Sequence, residues 1–338
     1  MLTTSEFKPP FWLRNPHAQT LFASQARPMP PLSVDSERME LADGDFLDLS
    51  WLPEAGLPED APVVVVLHGL NGSLESKYAR GLLHQVAAHG SRGVLLHFRG
   101  ASIPNRLSNS YHSGETGDLG LLLDRLRERY PHAPLAAAGY SLGGNVLLKY
   151  LGERGCDSLL SCAVAVSVPY DLKTCAYAVQ NGLSRIYQAH LINGMREIVE
   201  AKVRDRIIDR PLPDLSTLRD FPSFDNAITA PLNGFADAHD YYAQASSRAY
   251  LKSIRTPTLI VHARDDPFMS PTVIPTAGEL SDAIRFELSE HGGHVGFVAA
   301  GRYGAPAYWL EQRIPDYFRG RLPGFEPATE DAAVGQAG

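Results

Sequence analysis

The sequence predicts an α/β protein with a mostly parallel central sheet, an antiparallel N-terminal lead-in and a helical insertion late in the strand order. Three observations predict it. Apolar, β-branched runs recur along the 338 residues, separated by segments with helical spacing. A serine between glycines, Gly139-Tyr140-Ser141-Leu142-Gly143-Gly144, sits where one such run passes into a helical pattern. From about Pro169 to Ser253 the rhythm breaks into helical and proline-punctuated sequence.

Taken in order, Glu37 to Ala42 and Phe46 to Trp51 flank Asp43-Gly44, a hairpin signal and hence an antiparallel start. Strands are expected at Val63 to Leu67, Gly93 to Phe98, Leu135 to Tyr140, Cys162 to Val168, Thr258 to Ala263 and Ile284 to Leu288. Their continuous apolarity, without alternation, marks strands covered on both faces and therefore a parallel sheet. Crossover helices are expected at Ser76 to His89, Glu115 to Tyr130 and Leu142 to Arg154, with a closing helix from Ala305 to Phe318. The stretch of about 169–253, helical around Ala189 to Arg206 and broken at Arg210-Pro211-Leu212-Pro213, reads as an insertion over the carboxyl edge of the strands. Such an insertion commonly forms a cap or lid; the plainer alternative is an elaborated crossover. The expected organisation is a single domain over 1–322 and a disordered tail over 323–338, where Ala, Gly, Pro and Glu leave little to bury.

Composition excludes several classes. The formal net charge is −7, and Arg125, Arg127 and Arg129 alternate with Asp124 and Glu128 as on a solvated helix face, so nucleic-acid binding is not expected. Three cysteines, Cys156, Cys162 and Cys175, form no C-x-x-C pair. That argues against a disulfide framework or zinc site and for a reducing, cytoplasmic compartment. No segment reaches the length of a membrane span, and the N-terminus lacks a secretory pattern. Phe11-Trp12-Leu13 is long enough for transient contact with a lipid surface, although a patch that short more often packs on its own domain. No metal or organic cofactor is implied.

A serine hydroxyl becomes nucleophilic when a base takes its proton and a third group orients the base. Glycines at 139 and 143 remove side chains where strand and helix converge on Ser141. Partners belong at later strand ends, because sheet sites gather at the carboxyl edge. Arg264-Asp265-Asp266-Pro267-Phe268 follows one strand, and Glu290-His291-Gly292-Gly293-His294-Val295-Gly296-Phe297 follows the next. Either aspartate and either histidine satisfies this spacing. Taken singly, the aspartates also suit a cap or turn before Pro267, and the histidines an ordinary loop. A further turn, His68-Gly69-Leu70-Asn71-Gly72, follows Val63 to Leu67; there the Leu70 N–H can join that of Leu142 around a developing oxyanion. Arg99 and Asp118 read as a structural salt bridge or loop anchor, with an approach to the pocket as the alternative, His68 as a loop anchor and His97 as a strand histidine.

With these motifs in chain order Ser, Asp, His, the sequence resembles the YheT-type branch of the α/β-hydrolase superfamily, relatives of the abhydrolase-domain lipases and esterases. The resemblance covers most of the chain. It is carried by Asn15-Pro16-His17-Ala18-Gln19-Thr20, His68 to Ser73, Phe98-Arg99-Gly100, Tyr111 to Asp118, Gly139 to Asn145, Asp265 to Phe268 and His291 to Phe297. It implies the α/β-hydrolase fold with a helical cap, Ser141 as nucleophile, Asp266 as orienting acid and His294 as base. The choice of the second Asp and second His comes from the resemblance alone. No chemical role attaches to Asn15–Thr20. The implied activity is a serine hydrolase cleaving carboxylic esters, either short- to medium-chain acyl esters or acylglycerols. The rivals are an aminopeptidase-like amide hydrolase on the same triad and a non-catalytic binding protein on a hydrolase scaffold.

Overall fold

In the computed structural model, which describes residues 1–327, the apolar runs become the centre of one large sheet. Its strands are β1 (Leu2–Thr4), β2 (Asp35–Glu40), β3 (Phe46–Trp51), β4 (Val63–Leu67), β5 (Arg92–His97), β6 (Leu135–Tyr140), β7 (Cys162–Val166), β8 (Thr258–Ala263) and β9 (Ile284–Ser289). They lie in the order β1-β9-β8-β7-β6-β4-β5-β3-β2. All neighbours are parallel except β5–β3 and β3–β2, the antiparallel lead-in. A separate ribbon pairs β10 (Val298–Ala300) with β11 (Pro306–Tyr308).

Pleating explains the continuous apolarity. Val63, Val65 and Leu67 enter one core, while Val64 and Val66 enter another on the opposite face, and none of the five is solvent-exposed. A short helix, α1 (Pro16–Leu21), precedes the lead-in, and α2 (Lys77–Ala88), α3 (Gly117–Arg129) and α4 (Leu142–Arg154) follow β4, β5 and β6. Leu119, Leu122, Val146 and Leu147 place α3 and α4 on the first face. Leu82, Leu83 and Val86 place α2 on the second, where it meets the closing helix through Ile314 and Phe318. Each such side chain removed from water contributes roughly 1.5–3 kcal/mol.

Between β7 and β8 the chain runs through α5 (Leu172–Ala178), the long α6 (Ser184–Arg204), the short α7 (Phe221–Phe224) and α8 (Ala230–Leu232), and α9 (Ala238–Ala245). These helices have small apolar cores of their own. Two asparagines, Asn145 buried and Asn71 half-buried, join them to the sheet domain. The Asn145 side chain in the first turn of α4 donates to the carbonyls of Ala245 and Ser113 (2.8 Å each) and accepts from the Ser247 N–H (3.0 Å). Asn71 donates to the Leu191 carbonyl of α6 (2.8 Å).

Two expectations are corrected and one strand is added. The closing helix, α10, spans Leu310–Arg319, because residues 306–308 pair with β10 before it starts. A parallel edge strand, β1, sits beside β9 with a sequence too short and polar to announce itself. Disorder does not begin at 323: Phe325 is buried, stacked on His89 and edge-on to Phe318. The remainder of the expected tail, 328–338, lies outside the described residues.

Candidate active site

Ser141 stands at the join of β6 and α4 with φ +51° and ψ −118°. A non-glycine residue keeps such a backbone only when its surroundings force it. They do: a Cβ on Gly139 would lie 2.5 Å from the Gly143 carbonyl oxygen, and one on Gly143 would lie 2.5 Å from that of His68. With glycine at both positions the strand and helix close up, and Ser141 reaches the cavity at the carboxyl edge of the sheet.

Loops after β8 and β9 bring two side chains to it. Asp266, almost fully buried, accepts the Phe268 N–H on Oδ1 (2.9 Å) and His294 Nδ1 on Oδ2 (2.8 Å). The carboxylate can only accept, so Nδ1 carries the hydrogen and bare Nε2 faces the Ser141 hydroxyl at 3.0 Å. The Phe268 ring lies flat on the imidazole, with centroids 4.0 Å apart. A hydroxyl, an imidazole and a carboxylate linked in this way can draw a proton off the serine oxygen.

The alternatives left open by spacing pair with each other. His291 Nδ1 lies 3.1 Å from Asp265 Oδ2, and Asp265 Oδ1 accepts the Gly293 N–H (3.0 Å). Neither side chain lines the cavity with Ser141.

Within residues 69–72 one amide is left free. The Gly69 N–H donates to Tyr78 Oη (2.8 Å), the Asn71 N–H to Tyr111 Oη (2.9 Å) and the Gly72 N–H to the Gly69 carbonyl (2.9 Å). Among the described residues the N–H groups of Leu70 and Leu142 have no acceptor, and both residues line the cavity with Ser141. His68 is the anchor of this turn. Its Nδ1 donates to the Gly69 carbonyl (2.7 Å), Nε2 accepts the Phe98 N–H (3.3 Å), and burial pulls its pKa down to about 4, so the ring is neutral.

Arg99 closes on Asp118 through Nε and Nη2 (2.8 and 2.6 Å) and reaches Asp43 at 2.5 Å, away from the cavity, so both residues are structural. His97 lies in β5 and bonds Ser50 Oγ (2.9 Å). Asn15–Thr20, without a role in the sequence, turns out to touch the histidine loop: Thr20 Oγ1 accepts the His294 N–H (2.9 Å). Ser167, at φ +51° just past β7, accepts the Val295 N–H (3.0 Å) and carried no sequence signal.

The cavity holds about 530 Å³, the size of pockets that enclose small ligands. Leu70, Leu172, Val179, Leu191, Met195 and Phe221 make much of its wall apolar. Its wall includes one carboxylate, and that residue is buried. Asp225, 5 % exposed, accepts the hydroxyls of Thr229 and Tyr242 (2.7 Å each), and burial outweighs those bonds to push its carboxyl up to about 6. The native state therefore keeps a proton that the unfolded chain releases near pH 4. Stability from this group is present below about pH 4, falls as pH rises towards 6, and is gone above it. The wild-type Tm minus that of Asp225→Asn should fall between pH 4 and 6 and then level off. A difference constant across that range would contradict the assignment.

Among the described residues no group of three or more His, Cys, Asp or Glu side chains is arranged to hold a metal ion, and no helix is long and apolar enough to cross a membrane.

Comparison with known proteins agrees with this architecture. Residues 62–300 match the family described as alpha/beta hydrolase fold. YheT of Escherichia coli (strain K12) is 43% identical over 318 residues, covering 93% of each chain. The monoacylglycerol lipase of Saccharomyces cerevisiae (strain ATCC 204508 / S288c) is 30% identical over 72% of this chain and 57% of that protein. The esterase Pf2001 of Pyrococcus furiosus superposes with a TM-score of 0.53 over 93% of this chain and 100% of that one, at 15% identity, a likeness of fold alone. With its mostly parallel sheet, its serine at the β6–α4 join and a relative this similar over nearly its whole length, the chain belongs to the α/β-hydrolase family, in the YheT-type branch.

Proposed function

We propose that the protein is a serine hydrolase that cleaves carboxylic esters, acting on short- to medium-chain acyl esters or acylglycerols through Ser141, His294 and Asp266. The hydrogen-bonded series from Ser141 Oγ through His294 to Asp266, opening into a largely apolar cavity, carries this reading. His294 Nε2 takes the hydroxyl proton as Oγ attacks the ester carbonyl, and the N–H groups of Leu70 and Leu142 hold the oxygen as it becomes an anion. The proton then passes to the leaving alcohol. Water attacks the acyl-enzyme with His294 again as base, and Asp266 fixes the tautomer and stabilises the imidazolium. The helices between β7 and β8 form the cap that roofs the acyl site.

The similarity to a protein named monoacylglycerol lipase supports acylglycerols within the ester class. Three free cysteines, two of them buried, fit a cytoplasmic location. Exposed Phe11 and Trp12 at the surface suit transient contact with lipid. Aminopeptidase-like hydrolysis on the same residues needs a group free to bind the substrate α-amine. Asp225 is the buried carboxylate in the cavity wall, and both its oxygens already accept hydroxyls, which favours esters. A ladder of p-nitrophenyl esters run against aminoacyl anilides tests the choice. Ester kcat/KM should exceed that for anilides by at least about a hundredfold, and faster anilide turnover would reject it.

A further inference from the structure

The loop that carries His294 is held in an unfavourable shape. Gly293 has φ +60°, and beyond His294 two residues with side chains, Val295 and Phe297, sit at φ +54° and +46°. For a β-branched valine this is an outlier that persists only if the surroundings determine it. Three consecutive amides of the loop are each taken by a side chain from a different part of the chain. The Gly293 N–H goes to Asp265 Oδ1 (3.0 Å) after β8, the His294 N–H to Thr20 Oγ1 (2.9 Å) in α1, and the Val295 N–H to Ser167 Oγ (3.0 Å) after β7.

Helix α1 is built to hold its share of this grip. Asn15 caps it by accepting the N–H groups of His17 and Ala18 (3.0 and 3.1 Å), and Pro16 opens it. Thr20 Oγ1 donates its own hydrogen to the Pro16 carbonyl (2.8 Å), which turns a lone pair towards His294. Gln19, fully buried, donates to the Leu13 and Val298 carbonyls (2.9 Å each) and accepts the Val298 N–H (2.8 Å), fixing the far end of the loop. The fit is close: a Cβ on Gly293 would lie 2.5 Å from the Pro16 carbonyl oxygen, and one on Gly296 would lie 2.5 Å from that of Gly292.

We propose that Thr20, Ser167 and Asp265 form an amide clamp whose function is to position His294 for proton transfer, with Thr20 and the Asn15–Thr20 helix as its contribution from outside the sheet strands. This rests on the role of His294 proposed above. The clamp holds the main chain while Asp266 holds the ring, so Nε2 keeps its reach to Ser141 within the few tenths of an ångström that proton transfer tolerates. Asp265 and Asp266, adjacent in sequence, then divide the work between backbone and side chain.

Thr20→Val tests the clamp, because it fills nearly the same space and removes the acceptor for the His294 amide. Against a p-nitrophenyl ester, kcat per fluorophosphonate-titrated site should fall about tenfold to a hundredfold with KM within about twofold. The ascending limb of the kcat/KM–pH profile should also move, and Thr20→Ser should restore both. Ser167→Ala, which frees the neighbouring amide, should show the same pattern, and the double variant should lose less than the product of the two. Wild-type kcat per titrated site with an unmoved pH profile in either Thr20→Val or Ser167→Ala, whatever happens to Tm, would overturn the clamp. Ser141→Ala separates the two claims. If it retains activity, the reading of His294 fails; if it is inactive while Thr20→Val matches wild type, the clamp alone fails.

Discussion

Ser141→Ala is expected to lower ester turnover by about 10,000-fold to a millionfold while leaving a folded protein. On the proposed mechanism, removing Oγ removes the atom that attacks and leaves the imidazole and its carboxylate nothing to activate. The residual rate would come from the cavity and the two free amides of Leu70 and Leu142, which on the same mechanism would still bind and polarise a carbonyl. The substitution keeps a Cβ at φ +51°, so the backbone strain at the β6–α4 join is the same in both proteins, and thermal unfolding should move little. Steady-state kinetics and a fluorophosphonate label read the result together. Labelling that survives the substitution would assign the chemistry to another residue.

Asp266→Asn should lower kcat by about 10,000-fold, whereas Asp265→Asn should lower it by about tenfold or less. The two aspartates are neighbours with different tasks. An amide nitrogen in place of Asp266 Oδ2 would offer a hydrogen to His294 Nδ1, reversing the tautomer, so that Nε2 would carry the hydrogen and could not accept one from Ser141. At 265 an asparagine oxygen still accepts the Gly293 N–H, so most of that residue's work survives. Measured per titrated site, the larger loss must fall on 266. A larger loss on 265 would reverse the assignment of acid and anchor.

Much of the fold is legible because burial on both faces leaves its mark on composition. β4, β6 and β8 match the expected runs to the residue, since every position between their ends except His262 is apolar or small and both neighbours are strands. Where structure comes from context, the sequence is silent. Leu2–Thr4 forms a strand because β9 offers it a free edge, and residues 306–308 pair with β10 although their composition also suits a helix.

The site shows the same division. Ser141 declares itself through Gly139 and Gly143, because the close approach of two elements forbids side chains there. The choice of Asp266 over Asp265, and of His294 over His291, depends on which of two side chains in one loop turns inward, and spacing cannot say this. Thr20 and Ser167 act through hydrogen bonds to a loop 274 and 128 residues further on, a relation that no local pattern encodes. Asp225 is hidden for a similar reason: only folding brings Thr229 and Tyr242 onto its two oxygens and surrounds it with apolar helices.

On the proposed mechanism Ser141 carries the acyl group during turnover. Mixing the protein with a p-nitrophenyl ester, quenching in acid within the burst and sequencing the modified peptide by mass spectrometry tests it directly. One acyl group per chain, located on Ser141 and lost on incubation with water at neutral pH, is the predicted result. A burst with the acyl group on another residue, or turnover with no covalent intermediate on Ser141, would contradict it.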